Sequence, residues 1–145
     1  MMKSFVFRPD VAIADTAFYA YGKTFEELAV NSCKAVTEAM VNAKKIQKKE
    51  SVEFSKKADT LEELLYSVME EVIYLKDAKQ LVFNKFKVTG SECKSSPFGI
   101  SMLAKGEKID RKRHDAHSDV KAVTYHDYYV EQTPDGYKAS VTLDV

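Results

Sequence analysis

The chain has 145 residues, of which 45% are hydrophobic and 30% charged, as is typical of one soluble globular domain. Its 22 Lys and Arg residues balance 22 Asp and Glu residues, so overall charge does not predict nucleic-acid binding, and only a local patch could provide it. No apolar run is long enough to cross a membrane and the N-terminal segment lacks a signal-peptide pattern, so we expect a cytoplasmic protein without membrane contact. Cys33 and Cys93 have no CxxC spacing, which argues against a disulfide framework or a zinc site and fits a reducing cytosol.

The first part of the chain predicts two strands followed by a helix. Residues 3–8 and 15–22 alternate, so each forms a strand, and Asp15 opens the second strand on the side opposite Phe18. Residues 24–27 form a capping box that starts a helix ending near Asn42. One apolar face runs along this helix through Phe25, Ala29, Cys33, Val36 and Met40.

The middle of the chain predicts a strand and a second amphipathic helix. Residues 51–57 alternate as a strand, and residues 59–62 form a second capping box, so the helix begins near Thr60. Its apolar stripe consists of Leu61, Leu64, Leu65, Val68, Val72 and Leu75.

The last part of the chain is β-rich. Strands are predicted at residues 81–89, 100–105 and 120–131, with a polar loop at 90–97. The turn sequence T-P-D-G at 133–136 joins the last of these to a strand at 138–145, where Ser140, Thr142 and Asp144 form the polar side. The fold class is therefore α+β, a single domain of residues 1–145 with two amphipathic helices packed on a mostly antiparallel sheet.

Few local patterns suggest catalysis. There is no GxSxG elbow, P-loop or dinucleotide fingerprint, and the glycines are too scattered to surround a phosphate. His114 and His117 are three residues apart and hint at a metal, but two histidines in a polar loop are more often solvated. We expect His126, in a strand, to be packed or hydrogen-bonded.

A local basic segment precedes the histidines. It either meets phosphates or an acidic partner, or it is a solvated loop, and the solvated loop is favoured. No aromatic residues alternate with these basic residues to stack on bases, so we expect RNA contact to be indirect at most. The segment consists of Lys105, Lys108, Arg111, Lys112 and Arg113.

Two aspartates form the other candidate site. Asp15 and Asp144 each lie on the polar side of a predicted strand, and Asp144 is followed by Val145. If the strands are neighbours, their carboxylates and that of Val145 converge, which requires a hard cation such as Mg²⁺ or Ca²⁺ between them. If they are not, both are ordinary exposed aspartates.

Several segments carry a resemblance to a known family. Residues 15–27, D-T-A-F-Y-A-Y-G-K-T-F-E-E, and residues 121–126, K-A-V-T-Y-H, are similar to the N-terminal motif and to the most specific signature of the archease family, which the sequence resembles over nearly its whole length. Residues 143–145, L-D-V, match its acidic and aliphatic ending, and residues 106–114 resemble the segment before the signature. One position departs from the family pattern, since Ala12 stands where a histidine is usual.

This resemblance implies an activator of an RtcB-family RNA ligase in tRNA splicing and RNA repair, not an enzyme. The family role implied is to promote guanylylation and repeated turnover of the ligase. The resemblance also implies a divalent-metal site (Ca²⁺, Mg²⁺ or Mn²⁺) at Asp15, Asp144 and Val145, and a ligase-activating role for Lys121. By strand alternation Lys121 shares a face with Val123 and Tyr125. The alternatives are a stand-alone metal-dependent hydrolase of a phosphate ester, or a metal-free, chaperone-like binding module.

Overall fold

The computed structural model describes residues 4–9 and 15–145. Ala12, at the position of the family histidine, lies outside the described residues. A short 3-10 turn, Ala43–Lys45, follows the first helix. The helices and strands are β1 (Phe5–Arg8), β2 (Asp15–Gly22), α1 (Phe25–Met40), β3 (Glu50–Ala58), α2 (Leu61–Lys79), β4 (Leu81–Glu92), β5 (Phe98–Lys108), β6 (Ala122–Thr133) and β7 (Gly136–Asp144).

The described strands form two antiparallel sheets. One has the order β1-β2-β7-β6 and the other the order β3-β5-β4. Both helices contact both sheets: α1 packs against β2 and β4, and α2 packs against β6 and β3. The α+β class and the antiparallel pairing are confirmed. The division into two sheets was not foreseen, because strand alternation does not specify which strands pair.

Both helices begin at threonine caps. The Thr24 hydroxyl accepts the amide of Glu27 at 3.1 Å, and the Glu27 carboxylate accepts the amide of Lys23 at 3.3 Å. In α2 the Thr60 hydroxyl accepts the amide of Glu63 at 3.1 Å. The second cap is thus one residue later than the predicted box at 59–62, because Thr60 has the extended backbone of an N-cap.

The predicted strand limits need two corrections. First, β4 continues through Gly90 to Glu92, which pair with residues 99–101 of β5, so the connecting loop is limited to residues 93–97. Second, β6 begins at Ala122 and its pairing with β7 jumps from Thr124 to Tyr129. Residues 125–128 form this bulge. The β-branched and aromatic composition of β6 contains no signal for it.

The hairpin between β6 and β7 was predicted correctly. Pro134 and Asp135 connect the strands, and Gly136 has a φ of 138°, a conformation that L side chains rarely adopt. A Cβ at Gly136 would also lie 2.3 Å from the carbonyl oxygen of Gly22. The turn therefore requires glycine on both grounds, and it fixes the register that carries Asp144 to the far end of the sheet.

Candidate functional site

Asp15 and Asp144 lie side by side at one end of the four-stranded sheet. Asp15 opens β2, Asp144 closes β7, and the two residues are direct partners in the antiparallel register. Side chains at directly opposed positions project from the same face, with Cβ atoms about 4.5–5.5 Å apart. Both aspartates are half-buried. The predicted convergence of the two strands therefore occurs.

The face carrying these aspartates is opposite the hydrophobic core. Phe18 in β2 and Leu143 in β7 point to the core and are fully buried, whereas Asp15 and Asp144 alternate with them. Val145, the residue after Asp144, packs its side chain against the core.

The donor chemistry fits a hard cation. Carboxylate and main-chain oxygens are the ligands that Ca²⁺ and Mg²⁺ prefer. Like charges directly opposed across two strands destabilise a sheet, and a cation between them would remove that repulsion. Within the described residues, no cluster of three or more His, Cys, Asp or Glu side chains could hold a metal.

Lys121 lies on the other side of Asp144. Its amide donates to the Asp144 carbonyl at 2.8 Å, one residue before β6 begins. Ala122 is the register partner of Asp144, so Asp15, Asp144 and the start of β6 form consecutive positions across the sheet. The Lys121 side chain is exposed.

Helix α2 fixes the backbone around Lys121. The ammonium of Lys76, which is only 5% exposed, donates at 2.7 Å to both the Asp119 carboxylate and the Val120 carbonyl. The hydrogen bond from Lys76 and its charge, with smaller contributions from Arg111 and Lys121, lower the pKa of the Asp119 carboxyl. The backbone immediately before Lys121 is thus held by a buried charge.

The same helix also holds the backbone after Lys121. The amide of Val123 donates to Glu70 at 2.9 Å, and the Tyr66 hydroxyl donates to the Val123 carbonyl at 2.6 Å. These contacts satisfy backbone groups that the edge strand β6 would otherwise leave unpaired. Sequence reasoning missed these anchors. One signal was available: Lys76 lies four residues after Val72, on the apolar stripe of α2.

The segment before the signature forms a buried ionic network. Glu107 is 4% exposed and its carboxylate accepts from the Gln47 amide at 2.7 Å, from Arg113 at 2.8 Å and from His114 at 2.9 Å. The Asp110 amide donates to His114 Nδ1 at 3.0 Å, so the proton of the neutral ring is on Nε2 and points to Glu107.

These contacts correct two predictions. His114 was expected to be solvated but is fully buried, and β5 continues beyond its predicted end at Lys105, so that Lys108 of the basic segment lies in a strand and not in a loop. The hydrogen bond from Arg113 comes first among the causes that lower the Glu107 pKa to about 2; burial opposes it, and bonds from the Gln47 amide and His114 add to it. The network therefore stabilises the fold and is not a metal site.

The other two histidines also lie apart from Asp15 and Asp144. His117 lies 2.8 Å from the Glu38 carbonyl and 3.0 Å from the Asp115 carbonyl. His126 is on the bulge of β6, with 72% of its side chain exposed and Asp127 at 3.3 Å. The ring is therefore largely exposed and not packed, and its polar contact is with the Asp127 carboxylate, in line with the second alternative of the prediction. In the part of the chain that the structure describes, no helix is long and apolar enough to span a membrane.

Comparison with known proteins agrees with this architecture. The Archease protein family (MTH1598/TM1083) matches residues 8–145. An archease of Pyrococcus furiosus is 41% identical over 133 residues, which are 91% of this chain and 93% of that protein. An archease of Methanosarcina barkeri is 36% identical over 132 residues, 91% of this chain and 90% of that protein.

Two solved structures share the fold. The solution structure of Methanobacterium thermoautotrophicum Protein 1598 has a TM-score of 0.85 at 32% identity and covers 99% of this chain and 100% of its own. The crystal structure of a Thermotoga maritima archease, described as a possible chaperone, has a TM-score of 0.61 at 20% identity, with 95% and 96% covered.

The fold and site thus define a small α+β protein with two carboxylates and a lysine at one sheet end. With the matches over almost the full chain, these features show that it belongs to the archease family.

Proposed function

We propose that this chain is a cytoplasmic accessory protein that activates an RtcB-family RNA ligase, promoting its guanylylation and multiple turnover in tRNA splicing and RNA repair. The observation that carries the proposal is the row formed by Asp15, Asp144 and Lys121 across three neighbouring segments, in a chain of the archease family. These are the residues that the resemblance to the family implies are functional.

Asp15, Asp144 and the main-chain oxygen of Val145 are the proposed metal ligands. A divalent cation held there supplies positive charge that can offset phosphate charge at the ligase site. In the protein itself, the paired strands β2 and β7 place the two carboxylates together on one face. The bond from the Lys121 amide to the Asp144 carbonyl adds the third segment.

Lys121 is proposed to contact phosphate or carboxylate groups of the ligase complex. Its ammonium is a mobile point charge, and the side chain is exposed at the edge of the sheet. The anchors from Lys76 and Glu70 hold its backbone at 119–123, so only the side chain must order on binding. RNA is contacted through the ligase and not directly.

The test is ligation of split RNA by the cognate ligase under limiting ligase, with and without this protein. We expect wild type to raise multiple turnover and guanylylation, and Lys121→Ala to lose most of this stimulation. Lys34→Ala, a change at an exposed lysine of α1, is the matched control and should stimulate as wild type does. Thermal unfolding of both variants checks that folding is unchanged.

Two results would contradict the proposal. Absence of stimulation by wild type would remove the ligase function, and full stimulation by Lys121→Ala would remove the role of that lysine. Metal-dependent cleavage of a phosphate ester by this protein alone would favour the stand-alone hydrolase. Stimulation that persists without divalent metal bound to this protein would favour a metal-free binding module.

A further inference from the structure

Three tyrosines form a rigid cluster beside α2. The rings of Tyr66 and Tyr125 stack with centroids 4.4 Å apart and an interplanar angle of 2°. Tyr128 meets both rings edge-on, at 5.7 and 6.2 Å. The Tyr66 hydroxyl donates to the Val123 carbonyl and the Tyr128 hydroxyl to the Glu62 carbonyl, each at 2.6 Å. Tyr66 and Tyr128 are therefore each held by the backbone at one end of the side chain and by a hydroxyl hydrogen bond at the other.

Tyr125 is the exposed member of this cluster. It is 70% exposed although Tyr66 covers one face of its ring, so the opposite face is open to solvent. Its position follows from the bulge of β6, where residues 125–128 interrupt the pairing with β7. An aromatic ring that is held in place before binding loses little conformational entropy on binding.

A shallow groove of about 530 Å³ lies against Tyr125. Its lining residues include two acidic ones, Asp59 and Glu63, and one basic one, Lys57. Burial and then the charge of Glu70 raise the pKa of the Tyr66 hydroxyl, and burial and then the charge of Glu62 raise the pKa of the Tyr128 hydroxyl, so two more carboxylates lie near the tyrosine cluster. The groove is thus an electronegative surface next to an open aromatic face.

This combination selects a planar cation. The face of an aromatic ring attracts positive charge, and carboxylates accept the N–H groups of a guanidinium. A nucleotide would find its phosphate opposed by Asp59 and Glu63. A lysine ammonium has no plane to stack, whereas a guanidinium stacks on aromatic rings and hydrogen-bonds in its own plane.

We propose that this groove binds an arginine side chain of a protein partner, with its guanidinium on the free face of Tyr125 and its N–H groups directed to Asp59 and Glu63. The proposal deepens the proposed function, on which it rests for the identity of the partner: the arginine belongs to the RtcB-family ligase. The groove is thus a second point of contact, formed by β3, α2 and the bulge of β6, where Tyr125 follows Lys121 by four residues.

The first experiment does not use the ligase. Isotope-labelled protein is titrated with N-acetyl-arginine amide, N-acetyl-lysine amide, N-acetyl-citrulline amide and AMP, and NMR shifts at residues 57–67 and 125 are followed. We expect saturable shifts with the arginine amide, weaker binding of the lysine amide and none of the citrulline amide. Tyr125→Leu should weaken arginine binding about two- to fivefold, the usual size of an exposed cation–π contact.

The second experiment measures affinity for the cognate ligase. Tyr125→Leu and the double variant Asp59→Asn/Glu63→Gln should each weaken the complex about fivefold or more, and the loss in the double variant should diminish at high salt. Tyr74→Leu is the matched control, since Tyr74 is an exposed tyrosine of α2 that does not line the groove. It should bind the ligase as wild type does.

The outcomes separate the two proposals. Absence of saturable arginine binding overturns the proposal that the groove binds arginine. A ligase affinity that is unchanged in Tyr125→Leu overturns it as well. Shifts caused by AMP and not by the arginine amide overturn it in favour of a nucleobase site. A ligase that fails to bind wild type overturns the proposed function and the choice of partner, whatever the arginine titration gives.

Discussion

Glu107 is the residue whose ionisation contributes most clearly to the fold. Its buried carboxylate is surrounded by Arg113, His114 and the Gln47 amide, with the Lys49 ammonium at 3.9 Å. These groups join the start of β3 to the segment that follows β5. A buried carboxylate is stable in its charged form only when such partners compensate for the lost water.

Glu107→Gln should therefore destabilise the protein at neutral pH and flatten its acid sensitivity. The Glu107 pKa lies at about 2, below its ordinary value of 4.5, so the ionised form is stabilised by folding. This contribution is complete above about pH 4.5 and is lost as the pH falls toward 2. We expect a loss of about 2 kcal/mol at pH 7, from charged hydrogen bonds, and a smaller loss at pH 3.

Urea unfolding at several pH values measures this difference. Glu53→Gln, a change at an exposed glutamate of β3, is the control and should follow the wild-type curve. Curves for Glu107→Gln and wild type that run parallel from pH 7 to pH 3 would contradict the assignment.

Single residues were the hardest features to predict from sequence. His114 lies in a polar segment, which favours solvation, and its burial depends on Glu107 and on Gln47, which precedes Glu107 by 60 residues. A local sequence pattern cannot indicate a contact between residues so far apart in the chain. The side-by-side position of Asp15 and Asp144 was predictable, because strand alternation places both on polar faces and the resemblance to the archease family implies that they lie together.

At the scale of elements, the features that depend on neighbouring residues were predicted correctly, whereas a feature that depends on contacts between distant segments was not. The caps at Thr24 and Thr60 and the apolar helix stripes depend on neighbours within a few residues, and all appear in the structure. The bulge at residues 125–128 depends on how β6 meets α2 and β7, through side chains such as Tyr66. Its exposed Tyr125 could therefore not be found from composition.

The close approach of β4 and β5 depends on one glycine. A Cβ at Gly106 would lie 1.8 Å from the Val82 carbonyl oxygen, which forces the two strands apart. We expect Gly106→Ala to cost about 3 kcal/mol, at the upper end of overpacking effects, because main-chain atoms cannot yield as a flexible side chain can. It should also loosen the neighbouring Glu107.

Gly90→Ala is a matched control on the same pair of strands. No atom outside its immediate neighbours lies within 4 Å of the Cβ added there, so its stability should change by no more than about 0.5 kcal/mol. Thermal and urea unfolding of both variants compares them directly. Equal stabilities would show that the strands can separate at Gly106 without loss.

At the scale of the whole molecule, the candidate metal site joins distant parts of the chain. β2 lies near the start of the sequence and β7 at its end, yet they are adjacent in the sheet, and β6 completes the row beside Asp144. Repulsion between Asp15 and Asp144 opposes the pairing that brings them together. Cation binding at such a site should therefore be coupled to the stability of the entire four-stranded sheet.

Two changes test whether Asp15 and Asp144 share one cation. Asp15→Asn and Asp144→Asn each remove one charged donor. Each should weaken Ca²⁺ or Mn²⁺ binding about tenfold or more in calorimetry, because hard cations depend on anionic oxygen ligands. Without metal, Asp15→Asn should instead stabilise the protein by about 0.5 kcal/mol, since it relieves a like-charge pair.

Asp135→Asn, in the turn at the opposite end of β7, is the control and should leave both the cation affinity and the stability unchanged. Equal cation affinity in wild type and both site variants would refute the shared site, whereas stabilisation by divalent ions that disappears only in those variants would support it.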